Sequence, residues 1–137
     1  MSLVLDASVT LRWRLAGKPD PLAEAALDHI GHDGAAAPAI WWYEVRNALL
    51  VNERHGKLEP AESTAFLDRL AHMPIQVDSD PDEALLLNLA RRHGLSAYDA
   101  AYLELAARLA SPLATLDRRL ADAARRAGLA LFEPGAP

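Results

Sequence analysis

The chain has 137 residues, 51% hydrophobic and 24% charged, with 19 acidic and 14 basic side chains giving a formal charge of −5. That balance suits one compact globular domain, burying roughly 70% of its unfolded surface, and argues against a general nucleic-acid binder, which is usually basic. Having no cysteine excludes disulfides and thiolate metal sites, and the lack of a span-length apolar run or a signal-like N-terminus makes the cytoplasm the expected location, with no membrane partner.

Leu3-Val4-Leu5 is an apolar run fit for a buried strand, with Asp6 at its C-terminal end. Ser8 to Leu15 follows as a short helix, broken by Pro19-Asp20-Pro21. Leu22 to His32 has helical spacing in Leu22, Ala25, Ala26 and Ile30, with Gly31 and Gly34 as terminators. Ala35-Ala36-Ala37-Pro38 is a weak strand by propensity, and its proline must lie at the end because it has no N–H for a ladder. Ile40 to Arg54 reads as a helix closed by Gly56, and Pro60 opens another that runs to about His72, before Pro74. Ile75-Gln76-Val77 is the third strand, and a helix from Asp80-Pro81 to Arg92 is capped by Gly94.

Ser96 to Asp99 spells a capping box ahead of a helix running from Asp99 to Leu109. Leu113 to Leu116 is a fourth strand ending at Asp117, Arg118 to Ala127 is a helix stopped by Gly128, and Leu129 to Phe132 is a last short strand. Residues 1–132 are expected to form a single domain, with 133–137 as a frayed tail. Strands alternating with helices predict an α/β domain whose mostly parallel central sheet is covered on both faces.

In open parallel sheets, sites form outside the carboxyl ends of the strands, where Asp6 and Asp117 both fall. If the two strands are neighbours, the carboxylates lie side by side and need a counter-cation to stay ionised. Either residue also serves as a helix cap, although Arg118 and Arg119 then occupy a first turn where the macrodipole disfavours cations. Glu44 shares a helix face with Asn47 and Val51, beside apolar Trp41, Val45, Ala48 and Leu49. Asp99 starts a helix whose stripe of Tyr102, Leu103, Ala106 and Ala110 is almost wholly apolar, so it is either the distal half of the capping box or part of a site. Four such carboxylates suit a hard divalent cation, Mg²⁺ or Mn²⁺, held by oxygen ligands and water. Neither a serine–histidine pair beside a carboxylate, nor an HExxH, Walker or GxGxxG motif, is present.

Taken in order, Asp6-Ala7-Ser8, Glu44-x-x-Asn47-Ala48-Leu49, Leu95-Ser96-Ala97-Tyr98-Asp99-Ala100-Ala101-Tyr102 and Thr115-x-Asp117 resemble the PIN domain family. More narrowly, they resemble the VapC toxins of bacterial toxin–antitoxin pairs. The resemblance implies a three-layer α/β/α fold and a Mg²⁺-dependent endoribonuclease. Asp6, Glu44, Asp99 and Asp117 match the acidic catalytic and metal-binding set, Ser8 and Thr115 the supporting hydroxyls, and Asn47 a polar neighbour. It also implies an RNA substrate, a VapB-like antitoxin and a homodimer. Arg12, Arg14, Arg46, Arg118 and Arg119 lie near the site in sequence and are candidates for holding RNA. The Trp41-Trp42 pair goes beyond the family pattern; packing at a helix entry is favoured over a dimer or antitoxin contact.

Two rivals stay open. One is another Mg²⁺-dependent phosphoesterase or phosphotransfer domain: a haloacid-dehalogenase-like enzyme wants an aspartate where Ser8 stands, and a receiver domain wants a lysine after the late strand. The other is a PIN-like scaffold that binds protein or RNA without catalysis.

Overall fold

The structure, a computed structural model, describes residues 2–15 and 17–135. Its elements are β1 (Leu3–Leu5), α1 (Ala7–Arg12), α2 (Pro21–Asp33), β2 (Ala35–Pro38), α3 (Ala39–Arg54), α4 (Pro60–Ala71), β3 (Ile75–Asp78), α5 (Glu83–His93), α6 (Ala97–Leu109), β4 (Leu113–Ala114) and α7 (Arg118–Arg126). The four strands form one parallel sheet in the order β3-β2-β1-β4. Every residue of β1 and β2 is buried. Because successive side chains point to opposite faces, unbroken burial means that helices cover both sides. The alanines of β2 belong in that setting, since small side chains let α3 and α6 pack close to the strand. β3 is the edge, with Gln76 and Val77 exposed. No helix of the described residues is long and apolar enough to cross a membrane.

The connections fix where a site can form. From β1 the chain moves outward through β2 to β3, then returns to place β4 on the other side of β1. The order therefore reverses between β1 and β4, and a parallel sheet opens a crevice at its carboxyl ends at such a point. The condition set by the sequence is met: Val4 pairs with Leu113 and Leu5 with Ala114.

Three sequence expectations need correction. The fourth strand ends at Ala114, not Leu116, because the next backbone donors go to side chains. Leu116 N–H donates to Ser8 Oγ at 2.9 Å, and Asp117 N–H to Thr115 Oγ1 at 3.0 Å. The expected strand from Leu129 to Phe132 shrinks to one parallel bridge between Leu113 and Leu131. Leu129 N–H instead closes the end of α7 on the Ala124 carbonyl at 2.9 Å, and a two-residue β4 preceded by Pro112 offers little edge to pair with. Helix α5 starts at Glu83, after Asp80-Pro81, because the Asp82 side chain caps it through Leu85 N–H at 3.1 Å. Of the tail, Glu133 to Gly135 is described; its last two residues lie outside the described residues.

One buried charge is structural. Glu104 on α6 is 1% exposed. It accepts hydrogen bonds from Arg108 Nε at 2.6 Å and Asp82 N–H at 3.2 Å, while Arg108 also forks onto Asp78 at 3.0 and 2.8 Å. The pair ties α6 to the end of β3 and the start of α5. Arg108→Ala strands Glu104 without its cation. We expect a loss of about 2 kcal/mol in urea melts, below the ~3–5 kcal/mol of a fully buried pair because the guanidinium is partly solvated. An unchanged melt would refute that cost.

Candidate active site

Asp6 follows β1 directly and is 6% exposed. Its Oδ2 accepts hydrogen bonds from Ser8 Oγ at 2.5 Å and Thr115 Oγ1 at 2.6 Å. The same hydroxyls receive the Leu116 and Asp117 amides, so each acts in both directions. Burial pushes the Asp6 carboxyl above its ordinary range; the two hydroxyls oppose that, and the nearby Asp117 charge adds to it.

Asp117 caps α7, with Oδ1 accepting from Arg119 N–H at 3.0 Å and Leu120 N–H at 3.4 Å. Among the described residues Oδ2 has no hydrogen-bond partner, so capping uses half of the carboxylate. The capping-box reading of Asp99 is likewise half realised. Its backbone N–H donates to Ser96 Oγ at 3.1 Å, but its carboxylate makes no return bond to the cap. Ser96 holds the helix start, and the Asp99 side chain is left over at the rim.

Glu44 reaches the same place from α3. Its Oε1 accepts from the Tyr102 hydroxyl at 2.5 Å. Burial raises its carboxyl above the ordinary range; the Tyr102 bond lowers it, and the charges of Asp6, Asp99 and Asp117 raise it again. Glu44 thus feels the other three carboxylates, which gathers four acidic groups from separate parts of the chain into one field at the sheet's switch point. Tyr102 is the residue that sequence reading passed over. Placed in an apolar stripe, it is 1% exposed, and its oxygen also takes the Ala7 N–H at 3.4 Å. A phenol on a buried stripe needs a polar partner, and that was the available signal.

The remaining candidates spread out. Asn47 is exposed and makes no hydrogen bond among the described residues. Arg12 Nε donates to the Lys18 carbonyl at 3.4 Å, and Arg14 pairs with Glu62 at 2.5 Å on α4. Arg46 stacks on the Trp42 ring at 3.7 Å. Arg118 is exposed at the start of α7, whereas Arg119 shares a pocket with Asp99. The tryptophan pair divides: Trp41 is buried and donates to Thr10 Oγ1 at 2.9 Å, as helix-entry packing requires, while Trp42 is 43% exposed. A broad depression among the described residues lies elsewhere, beside His29, Pro112 and Phe132 before β4, away from the carboxyl ends.

A model of the PIN domain family matches residues 3–126. The chain belongs to the PIN domain family. Ribonuclease VapC3 of Pyrobaculum aerophilum is 32% identical over 130 residues, covering 89% of this chain and 94% of the relative. Among solved structures, PAE2754 from Pyrobaculum aerophilum superposes with a TM-score of 0.70 at 27% identity, covering 89% of this chain and 84% of the other. FitAcB from Neisseria gonorrhoeae gives 0.68 at 22% identity over 96% and 97%, a likeness of fold. The α/β architecture expected from sequence is the one this PIN domain adopts.

Nucleases of the PIN family are generally divalent-metal dependent, and the donor set here suits a hard cation. It is all oxygen, and the carboxyls of Asp6 and Glu44 are both raised by burial and by acidic neighbours, a repulsion that a cation removes. Among the described residues no three acidic or imidazole groups close on one point as they stand. Mg²⁺ does not require that, since it keeps several waters and is bound directly by one or two carboxylates.

Proposed function

We propose that this PIN domain is a metal-dependent endoribonuclease and the toxin of a toxin–antitoxin pair. The observation that carries it is the shared field of Asp6, Glu44, Asp99 and Asp117 at the β1–β4 crevice. The name of its ribonuclease relative supports RNA as substrate. In this reading Asp6 and Asp99 anchor the main cation, and Glu44 and Asp117 complete the shell directly or through water. When bound, Mg²⁺ or Mn²⁺ lowers the pKa of a water and takes up charge developing on the phosphate. The chain's own groups do the positioning. Ser8 and Thr115 fix the orientation of Asp6 through Oδ2, and Tyr102 fixes Glu44 through Oε1. Asp117 is held by the start of α7, which leaves Oδ2 for the cation shell.

A VapB-like antitoxin, a homodimer and a cytoplasmic location complete the proposal by family likeness. Purified protein freed of antitoxin should cleave RNA with Mg²⁺ or Mn²⁺, lose that activity in EDTA and regain it when the cation is restored. Absence of cleavage of any cellular RNA under these conditions would favour the non-catalytic scaffold instead.

A further inference from the structure

A small pocket adjoins the carboxylate cluster, with Asp99 in its wall. His93 and Gly94 at the end of α5 line it, together with Arg119, Asp122 and Arg126 of α7. Spacings of three and seven residues put those three α7 side chains on one helix face. Asp122 has a cation of its own, since Arg125 Nη1 lies 3.0 Å from its Oδ1 in an exposed pair. Among the described residues neither Arg119 nor Arg126 has a carboxylate within ion-pair reach. The helix dipole accounts for Arg126 in the last turn of α7. It does not account for Arg119 in the first, where a cation is disfavoured. Arg119 and Arg126 therefore line a pocket whose carboxylates are Asp99, assigned to the cation, and Asp122, which pairs with Arg125. The cavity is about 170 Å³, the volume of roughly six waters at ~30 Å³ each, which suits a phosphate with its hydration.

Resting on the ribonuclease reading above, we propose that Arg119 and Arg126 hold a backbone phosphate of the RNA next to the one being cleaved. The register is built in: Asp117 belongs to the cluster and caps α7, so Arg119 stands two residues from it and Arg126 two further turns along the same face. Guanidiniums suit the task because their planar fork matches a phosphate's oxygens. A strand with one phosphate over the cluster and its neighbour in this pocket would run past the end of α5 at His93 and Gly94.

The test is fluorescence anisotropy with a labelled single-stranded RNA of twelve nucleotides in EDTA, where cleavage is off. Replacing both arginines, Arg119→Gln with Arg126→Gln, should weaken binding about 10-fold at low salt and lower the slope of log K against log salt by ~0.7, one phosphate contact. The control is Arg54→Gln with Arg69→Gln, the same charge change in the last turns of α3 and α4, which should leave the slope near the parent's. Parent-like affinity and slope in the α7 variant overturn the proposal, leave the ribonuclease reading standing, and point to an acidic protein as the pocket's occupant. If the parent neither binds RNA in EDTA nor cleaves it with Mg²⁺, both fall together.

Discussion

Asp6→Asn is expected to reduce RNA cleavage on the order of 10³-fold, the scale of several kcal/mol of charge stabilisation at a metal site, while the folded chain melts at an equal or higher temperature. The two effects have one cause. The carboxyl is buried beside Asp117 and its affinity for a proton is raised, so at neutral pH the cation-free fold holds a charge that its surroundings disfavour. Asparagine keeps an oxygen to accept from Ser8 and Thr115 and removes the charge. The sign of the pH dependence follows. A carboxyl raised above its ordinary 3.8 binds more protons folded than unfolded. Stability is therefore lost as pH rises from the unfolded value through the folded one.

In EDTA the parent should lose thermal stability as pH rises above the ordinary carboxylate range, and Mg²⁺ should restore most at the higher pH. Asp6→Asn should flatten both trends. Glu44 is raised too and acts in the same direction. Asp78, held low by Arg108, acts oppositely, and its contribution disappears only as pH falls through its depressed pKa, outside this window. Cleavage within tenfold of the parent, or a variant with the parent's pH slope, would remove Asp6 from the cation site.

Tyr102→Phe has the second largest expected effect, roughly a tenfold loss of Mn²⁺ affinity, the lower end of what support groups behind metal ligands contribute. The ring stays, so the volume between α6 and α1 is filled. What disappears is the hydroxyl that donates to Glu44 and accepts from Ala7 N–H. The loss of those bonds should also lower stability by about 1–2 kcal/mol. A purely structural role would end there. Titration of Mn²⁺ by electron paramagnetic resonance separates the two when repeated with Glu44→Ala. If Tyr102 acts by holding Glu44, its substitution has no further effect on affinity in that background. A full tenfold effect persisting there would transfer its role to Ala7 and the start of α1.

Much of the fold was legible because its signals are local. Apolar triplets, glycine stops and prolines marked the strands and helices, and alternation gave the parallel sheet. What escaped depends on partners distant in sequence. The length of β4 is set by Ser8, which lies 108 residues from the amide it takes. The bridge at Leu131 depends on how short β4 is, and no pattern within Leu129 to Phe132 records that. The four carboxylates could be picked out singly, each with a plausible cap or surface role, but their common field arises from the β1–β4 adjacency together with the packing of α3 and α6 on the sheet. Asn47 shares a helical face with Glu44 and is exposed, without a hydrogen bond among the described residues, a difference in burial that the shared spacing does not record.

The diverted amides after Ala114 have a consequence for how the sheet holds its alignment. Two ladder residues are too few to fix the pairing of β4 against β1, and a slip by one residue would turn every side chain of the strand to the opposite face. Ser8 and Thr115 prevent the slip, because their bonds to Leu116, Asp117 and Asp6 fit only one alignment. The hydroxyls that orient the acid are also the pins that set the sheet's edge. A chain whose β4 has slipped therefore loses its carboxylate cluster in the same event, and a misaligned sheet with a working site is not an available state.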